Sequence, residues 1–280
     1  MIDIKDLSFR YSARKALFEQ LDLQLLPGHI YGLMGKNGSG KSTLLHLLSG
    51  LLFPQSGEIK VLDYVPKQRG ADFLQNMFLV PEEFALPDVS IVLYAKLHAP
   101  FYSLFDYALF AKILKEFDID TNDSMSKMSM GQRKKAYIAF AMATSTKFLW
   151  MDEPTNGLDI PSKSQFRKIM AYMDIEDRCV VISTHQVRDL NNVIDAMVVL
   201  DEHKIVFNHD LNSISQKLKC IFCINEKPAD IIYEETSFIG SHAIVPNTEN
   251  EPGQVDMELL FNAIMYRNTE ITNLFNSAEL

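Results

Sequence analysis

From Gly35 to Ser42 the chain reads Gly-Lys-Asn-Gly-Ser-Gly-Lys-Ser, which fits the pattern G-x-x-x-x-G-K-[ST]. Gly35, Gly38 and Gly40 free the backbone to curl its N–H groups inward around an anion, with no Cβ in the way. Asn37, Ser39 and Thr43 belong to the same stretch, Lys41 carries the charge suited to β- and γ-phosphates, and Ser42 offers a hydroxyl to Mg2+. A second group lies downstream, where the apolar run Phe148–Met151 delivers two adjacent acids. Asp152 suits the holding of Mg2+ and Glu153 suits a general base that polarises an attacking water. Adjacent acids alone also describe a solvated turn; beside a phosphate loop they describe a hydrolytic site.

Such residues need a strand to deliver them and a helix to finish the anion cradle. His29–Met34 reads as a strand entering the glycine-rich loop, and Lys41–Ser49 as a helix closed by Gly50, whose N-terminal dipole end faces the anion. Phe148–Met151, Cys179–Ser183 and Ala196–Leu200 read as further buried strands. Strands alternating with helices over the first 200 residues predict an α/β fold with a mostly parallel sheet, whose C-terminal strand ends bind ligands. Ser90–Ala99 and Tyr107–Phe117 carry helical spacing, which predicts a helical subdomain over about 82–128. Beyond residue 207 the pattern shifts to strands over Cys220–Ile224 and Ile231–Glu235, a polar loop over Asn247–Gly253 and a helix over Met257–Tyr266, predicting a small α+β extension over 208–280.

The 280 residues are 47% hydrophobic and 22% charged, the balance of a globular chain and not of a disordered or collagen-like one. The formal charge is −9, and residues 201–280 hold 13 acids against 5 bases, so the excess belongs to the extension. This argues against a nucleic-acid partner. No stretch has the ~20 apolar residues of a membrane span. An acidic opening segment and three cysteines predict a cytoplasmic protein without leader or disulfide framework. Cys220 and Cys223 match C-x-x-C by letter only, because strand positions three apart face opposite sides.

Taken with their neighbours, these motifs resemble the ATP-binding cassette (ABC) ATPase family over residues 1–207. Ser129-Met-Gly-Gln132, opening an Ala-rich helix over Gln132–Ala143, resembles the family's signature segment; Pro154–Asp159 resembles the D-loop, Phe78–Glu82 the Q-loop, and Ser183-Thr-His185 the switch histidine. Tyr11 falls where the family stacks an aromatic on adenine. The resemblance implies a P-loop NTPase core with an N-terminal antiparallel β part, binding ATP and Mg2+. Lys41, Ser42 and Tyr11 would hold nucleotide, with Ser42, Asp152 and Glu82 around the metal and Glu153, His185 and Glu82 near the chemistry. It also implies a homodimer, or pairing with a similar cassette, in which Ser129, Gly131, Gln132 and Asp159 act on the facing chain's ATP.

Two departures stand out: Met130 replaces a glycine of the signature, and Glu82 stands where glutamine is usual. A carboxylate at 82 cannot donate and adds negative charge near the γ-phosphate, which predicts slower or more tightly gated turnover. Within that family, the single cassette and the short interval between Glu82 and Ser129 leave the ATPase subunit of a transporter whose membrane-spanning permease subunits are separate, and Ala99-Pro-Phe-Tyr102 and Phe105-Asp106, with the C-terminal extension, resemble the bacterial multidrug and antibiotic-resistance export branch. An apolar surface around Phe84, Leu86, Val89, Tyr94, Phe101 and Tyr102 is expected to receive a partner helix, unless these residues fill the subdomain's own core. The alternative function is a soluble ATP-dependent switch with no membrane partner.

Overall fold

The computed structural model describes residues 1–12, 15–224, 227–249, 251–266 and 269–276. The chain begins with antiparallel strands β1 (Ile2–Phe9) and β2 (Phe18–Leu25), passes through β3 (His29–Met34) and helix α1 (Lys41–Leu48), and returns beside β1 as β4 (Ser56–Val61). Alternating residues of β1 and β2 are buried, the mark of a sheet with one covered face. Next come α2 (Ala71–Gln75), β5 (Met77–Val80), α3 (Ile91–His98), α4 (Tyr107–Glu116), α5 (Met130–Ala143), β6 (Phe148–Asp152), α6 (Ile160–Met170), β7 (Cys179–Thr184), β8 (Ala196–Asp201) and β9 (Lys204–Asp210).

The central sheet has the order β5-β6-β7-β3-β8-β9, parallel except for the last pair. Every residue of β6 and β7 is buried, which is why both segments read as unbroken apolar runs. The two faces of β6 go to different cores. Phe148 and Trp150 join the leucines of α1 and the antiparallel sheet, whereas Leu149 and Met151 pack with α5 and α6. In register, Met34 of β3 lies opposite Thr184 of β7, and Asp152 of β6 opposite Ser183. The glycine-rich loop, the acid pair and His185 therefore leave one sheet edge side by side.

The expected boundary after residue 207 falls inside β9. That strand is the antiparallel edge of the central sheet, joined to β8 by a turn in which Glu202 and His203 have φ of 45° and 67°. The rest of the chain forms α7 (Leu211–Lys217), β10 (Leu218–Cys223), β11 (Tyr233–Ser237), β12 (Gly240–Pro246), α8 (Met257–Met265) and α9 (Thr269–Asn276), with sheet order β10-β12-β11. Phe207 of β9 shares its core with Ile214, Ile244, Leu260 and Phe275, so the extension packs onto the sheet edge. Within it, β11 begins at Tyr233, two residues later than the expected start at Ile231. Cys220 Sγ accepts from the Asp256 N–H and Cys223 is buried.

The segment 91–116, helical at both ends, and Phe78 of β5 form a knot of aromatic rings around the fully buried Phe140 of α5, with Phe78, Tyr94, Tyr102, Phe105 and Phe110 within 6.3 Å of its centroid. Phe84 stacks on Tyr137 at 4.7 Å. Of the six residues expected on a docking surface only Phe101 is exposed; a subdomain of two short helices needs its large side chains for its own interior. The exposed apolar residues of this region are instead Val92, Leu93, Leu97, Leu104 and Tyr107, beside Phe101.

Candidate active site

The loop after β3 is shaped by contacts that a side chain would destroy. A Cβ on Gly35 would stand 2.4 Å from the Leu200 carbonyl oxygen, and one on Gly40 2.7 Å from the Phe18 ring, at a φ of +115° that L residues rarely adopt. Lys41 is buried and folds back over the loop, its Nζ donating to the carbonyls of Gly35 at 2.8 Å and Lys36 at 3.3 Å. Burial pushes its pKa down, against the opposing pull of Glu153, Asp152 and Glu82. Ser39 Oγ is buried and has no hydrogen-bond partner among the described residues, a polar atom left for a ligand. Tyr11 is mostly exposed at the rim, its hydroxyl 2.9 Å from Thr43 Oγ1. Sequence reasoning missed His203, which reaches from the β8–β9 turn to place Nδ1 2.9 Å from the Ser39 carbonyl oxygen.

Across the cleft stand the acids. Asp152 and Glu153 are both buried, and the Ser183 hydroxyl donates to Asp152 Oδ1. Glu153 sits at φ 45°, with its N–H donating to Ser183 O at 3.2 Å and Oγ at 3.1 Å. Its Oε1 lies 2.8 Å from His185 Nδ1 and 3.9 Å from Lys41 Nζ. Glu82 faces the same cleft and accepts from Asn156 Nδ2 at 2.8 Å. Beneath them is Lys134, a buried lysine that sequence reasoning also missed, donating to the carbonyls of Glu153 at 2.8 Å and Asn156 at 3.0 Å. Its signal was a cation on a helix stripe that continues with the buried Ile138 and Ala141.

Tyr11, Asn37, Gly38, Gly40, Lys41, Ser42, Thr43, Glu82 and Glu153 line this one cleft of roughly 380 Å³. The signature segment is not among them. Ser129 caps α5, accepting from the Gln132 N–H at 3.2 Å, and Gln132 Oε1 accepts in return from the Ser129 N–H at 2.9 Å, so that side chain is spent on its own helix. Met130 projects from the surface, and a Cβ on Gly131 would meet only ordinary contacts at 3.7 and 3.9 Å. Nothing in its own chain demands that glycine. Asp159, exposed, caps α6 by accepting from the Ser162 N–H, and the hydrogen bonds from Ser162 hold its carboxyl below the usual range. The structure thus gathers the loop, both acids, Glu82 and His185, and leaves Ser129, Gly131, Gln132 and Asp159 outside.

The family profile described as ABC transporter matches residues 18–156. This chain carries an ABC transporter ATP-binding domain. It is 28% identical over 239 residues to the energy-coupling factor transporter ATP-binding protein EcfA1 of Fusobacterium nucleatum, covering 79% of this chain and 90% of the relative. It is 26% identical to the molybdate import ATP-binding protein MolC of Haemophilus influenzae, covering 85% and 94%, and 26% identical to the Nod factor export ATP-binding protein I of Rhizobium etli, covering 75% and 69%. A solved ATP-binding subunit of an ABC transporter superposes with a TM-score of 0.67 at 24% identity, covering 76% and 91%; a dimeric bacterial ABC transporter cassette gives 0.65 at 20%, covering 75% and 98%. The domain is an ATPase with the cassette fold, and among the described residues no helix is long and apolar enough to cross a membrane.

Proposed function

We propose that two copies of this chain close over two MgATP and so drive a conformational change in separate membrane-spanning subunits. The observation that carries this reading is the division of the site: phosphate loop and base line one cleft, while Ser129 and Gly131 stand exposed or half-exposed elsewhere on the same chain. A facing copy supplies what each cleft lacks, its Ser129 hydroxyl and the N–H groups at the start of α5 closing over the γ-phosphate. Lys41 turns from the loop carbonyls to the β- and γ-phosphates, Tyr11 stacks on the base, and Ser42 and Asp152, with Glu82 nearby, offer the hard oxygen donors that suit Mg2+. The unpartnered Ser39 hydroxyl and the glycine cradle fit a polyphosphate. Bound Mg2+ neutralises charge on the phosphates. Glu153 accepts the proton of the attacking water, and His185, held on the Glu153 carboxylate, hydrogen-bonds the γ-phosphate.

Mixing two crippled chains tests the division. Ser129→Arg blocks the signature of one chain and Glu153→Gln removes the base of the other, so a mixed dimer keeps one intact composite site. Hydrolysis by the mixture, where each variant alone is inactive, is expected; a mixture as inactive as its parts refutes the shared site. Native membranes extracted in detergent should yield the chain bound to a polytopic subunit, which places it on the inner membrane face, and a partnerless chain refutes the transport reading. Relatives named for import and for export both match. Export is the direction that the Ala99–Tyr102 and Phe105-Asp106 segments support, and ATP-driven cargo uptake into inside-out vesicles is its test.

A further inference from the structure

We propose that Lys134 is a positioning residue for Glu153, holding the backbone of the base in place from the helix that presents Ser129 to the facing copy. The inference rests on the reading of Glu153 given above. Glu153 occupies the left-handed region at φ 45°, where a residue with a Cβ persists only if its surroundings fix it. Two anchors do so. Its N–H is held by Ser183 on β7, and its carbonyl receives the Lys134 ammonium at 2.8 Å together with the Asn156 N–H at 3.1 Å. The same ammonium reaches the Asn156 carbonyl at 3.0 Å, so one cation spans both ends of the turn that follows the base. Asn156 in turn donates to Glu82, which ties the departure from glutamine at that position into the same assembly.

Lys134 is 3% exposed and its ammonium is desolvated, a cost that an apolar residue of similar length would avoid while leaving the two carbonyls without this donor. What the ammonium adds is direction: donors aimed at two carbonyls, with Glu82, Glu153 and Asp152 opposing, without cancelling, the desolvation that pushes its pKa down. Lys134 lies about one and a half helical turns beyond Ser129 and less than one turn beyond Gly131, so a shift of the α5 N-terminus on closure of the dimer is felt directly at Glu153. The contact made in trans and the base used in cis share one rigid element.

The experiment is steady-state ATP hydrolysis by the full chain carrying Lys134→Met, which keeps an unbranched side chain one bond shorter and removes the donors. The expected result is a kcat lower by about 10- to 100-fold, the range for losing a charged hydrogen bond that positions a base, with KM and ATP affinity within about twofold of wild type. Lys134→Gln restores N–H donors one bond short of the ammonium, reaching one carbonyl of the two, and is expected to fall between Met and wild type. A folded Met variant with wild-type kcat, or one whose ATP affinity falls in step with kcat, overturns the proposal. Should the Met variant not fold, a Gln variant with wild-type kcat overturns it. Normal hydrolysis by Glu153→Gln would instead remove the base itself, which keeps the two failures apart.

Discussion

Replacing Glu153 by glutamine separates binding from chemistry, and the geometry sets the size of both effects. The amide keeps an acceptor at the position 2.8 Å from His185 Nδ1, so His185 stays where it is. It loses the ability to take a proton, and removal of a general base costs about 10²- to 10⁴-fold in kcat. It also loses a negative charge 3.9 Å from Lys41 Nζ, in a site where both side chains are at most 7% exposed. At an effective dielectric constant of ~20 that pair is worth about 4 kcal/mol of gross attraction, part of which Lys41 gives up when it turns to an incoming phosphate. With the competing carboxylate gone, ATP binds at least as tightly as in wild type. Phosphate-release kinetics should therefore show turnover down by at least about a hundredfold. Fluorescent-nucleotide titration should show no loss of affinity, and size-exclusion chromatography with MgATP should show a dimer that wild type forms only transiently. Turnover within about threefold of wild type, or a loss of ATP affinity matching the loss of rate, refutes the placement of Glu153 as base.

Glu82→Gln keeps the acceptor for Asn156 and removes a carboxylate from the cleft, so basal hydrolysis should rise by about fivefold, the worth of one like-charge contact of about 1 kcal/mol; unchanged rates would make Glu82 peripheral. Tyr11→Phe preserves the ring and loses the bond to Thr43, whereas Tyr11→Ala loses the stacking face, so ATP affinity should fall by less than about 1.5 kcal/mol in the first and by about 1–3 kcal/mol in the second. Equal losses in a titration would place the role of Tyr11 in its hydroxyl. Phe140→Ala empties the centre of the aromatic knot and should lower stability in denaturant unfolding by about 3–5 kcal/mol; a loss below about 1 kcal/mol would mean that the rings around it collapse into the space.

The parts of the site written in consecutive residues were legible in the sequence. The glycine loop, the acids at the end of β6 and Ser183-Thr-His185 each follow a strand, and a strand buried on both faces announces itself as an apolar run. Order along the chain sufficed because parallel strands bring all such ends to one edge. The β8–β9 hairpin hid itself for an opposite reason. Its turn places Glu202 and His203 in left-handed conformations that sequence reasoning assigns to glycine or asparagine, so no punctuation marked the strand that crosses residue 207. Phe84, Tyr94 and Tyr102 look the same in a sequence whether they face a partner or each other; only the fully buried Phe140 beneath them decides.

Lys134 is the more instructive omission, because its pattern was visible and its meaning was not. A lysine on an apolar helix stripe reads as a side chain whose long stem carries its charge out to water. That reading fails where the stripe faces a turn presenting two carbonyl oxygens and three carboxylates lie near, since the ammonium then finds in the interior what it would otherwise seek outside. The same logic holds for Gly131, read from the opposite side. Among the described residues its own chain leaves room for a Cβ, so any need for a glycine there would come from a facing copy of the kind proposed above. Both residues belong to α5, one turned inward and one outward, and on the proposed reading a helix with that double assignment cannot answer to a facing copy without also moving Glu153.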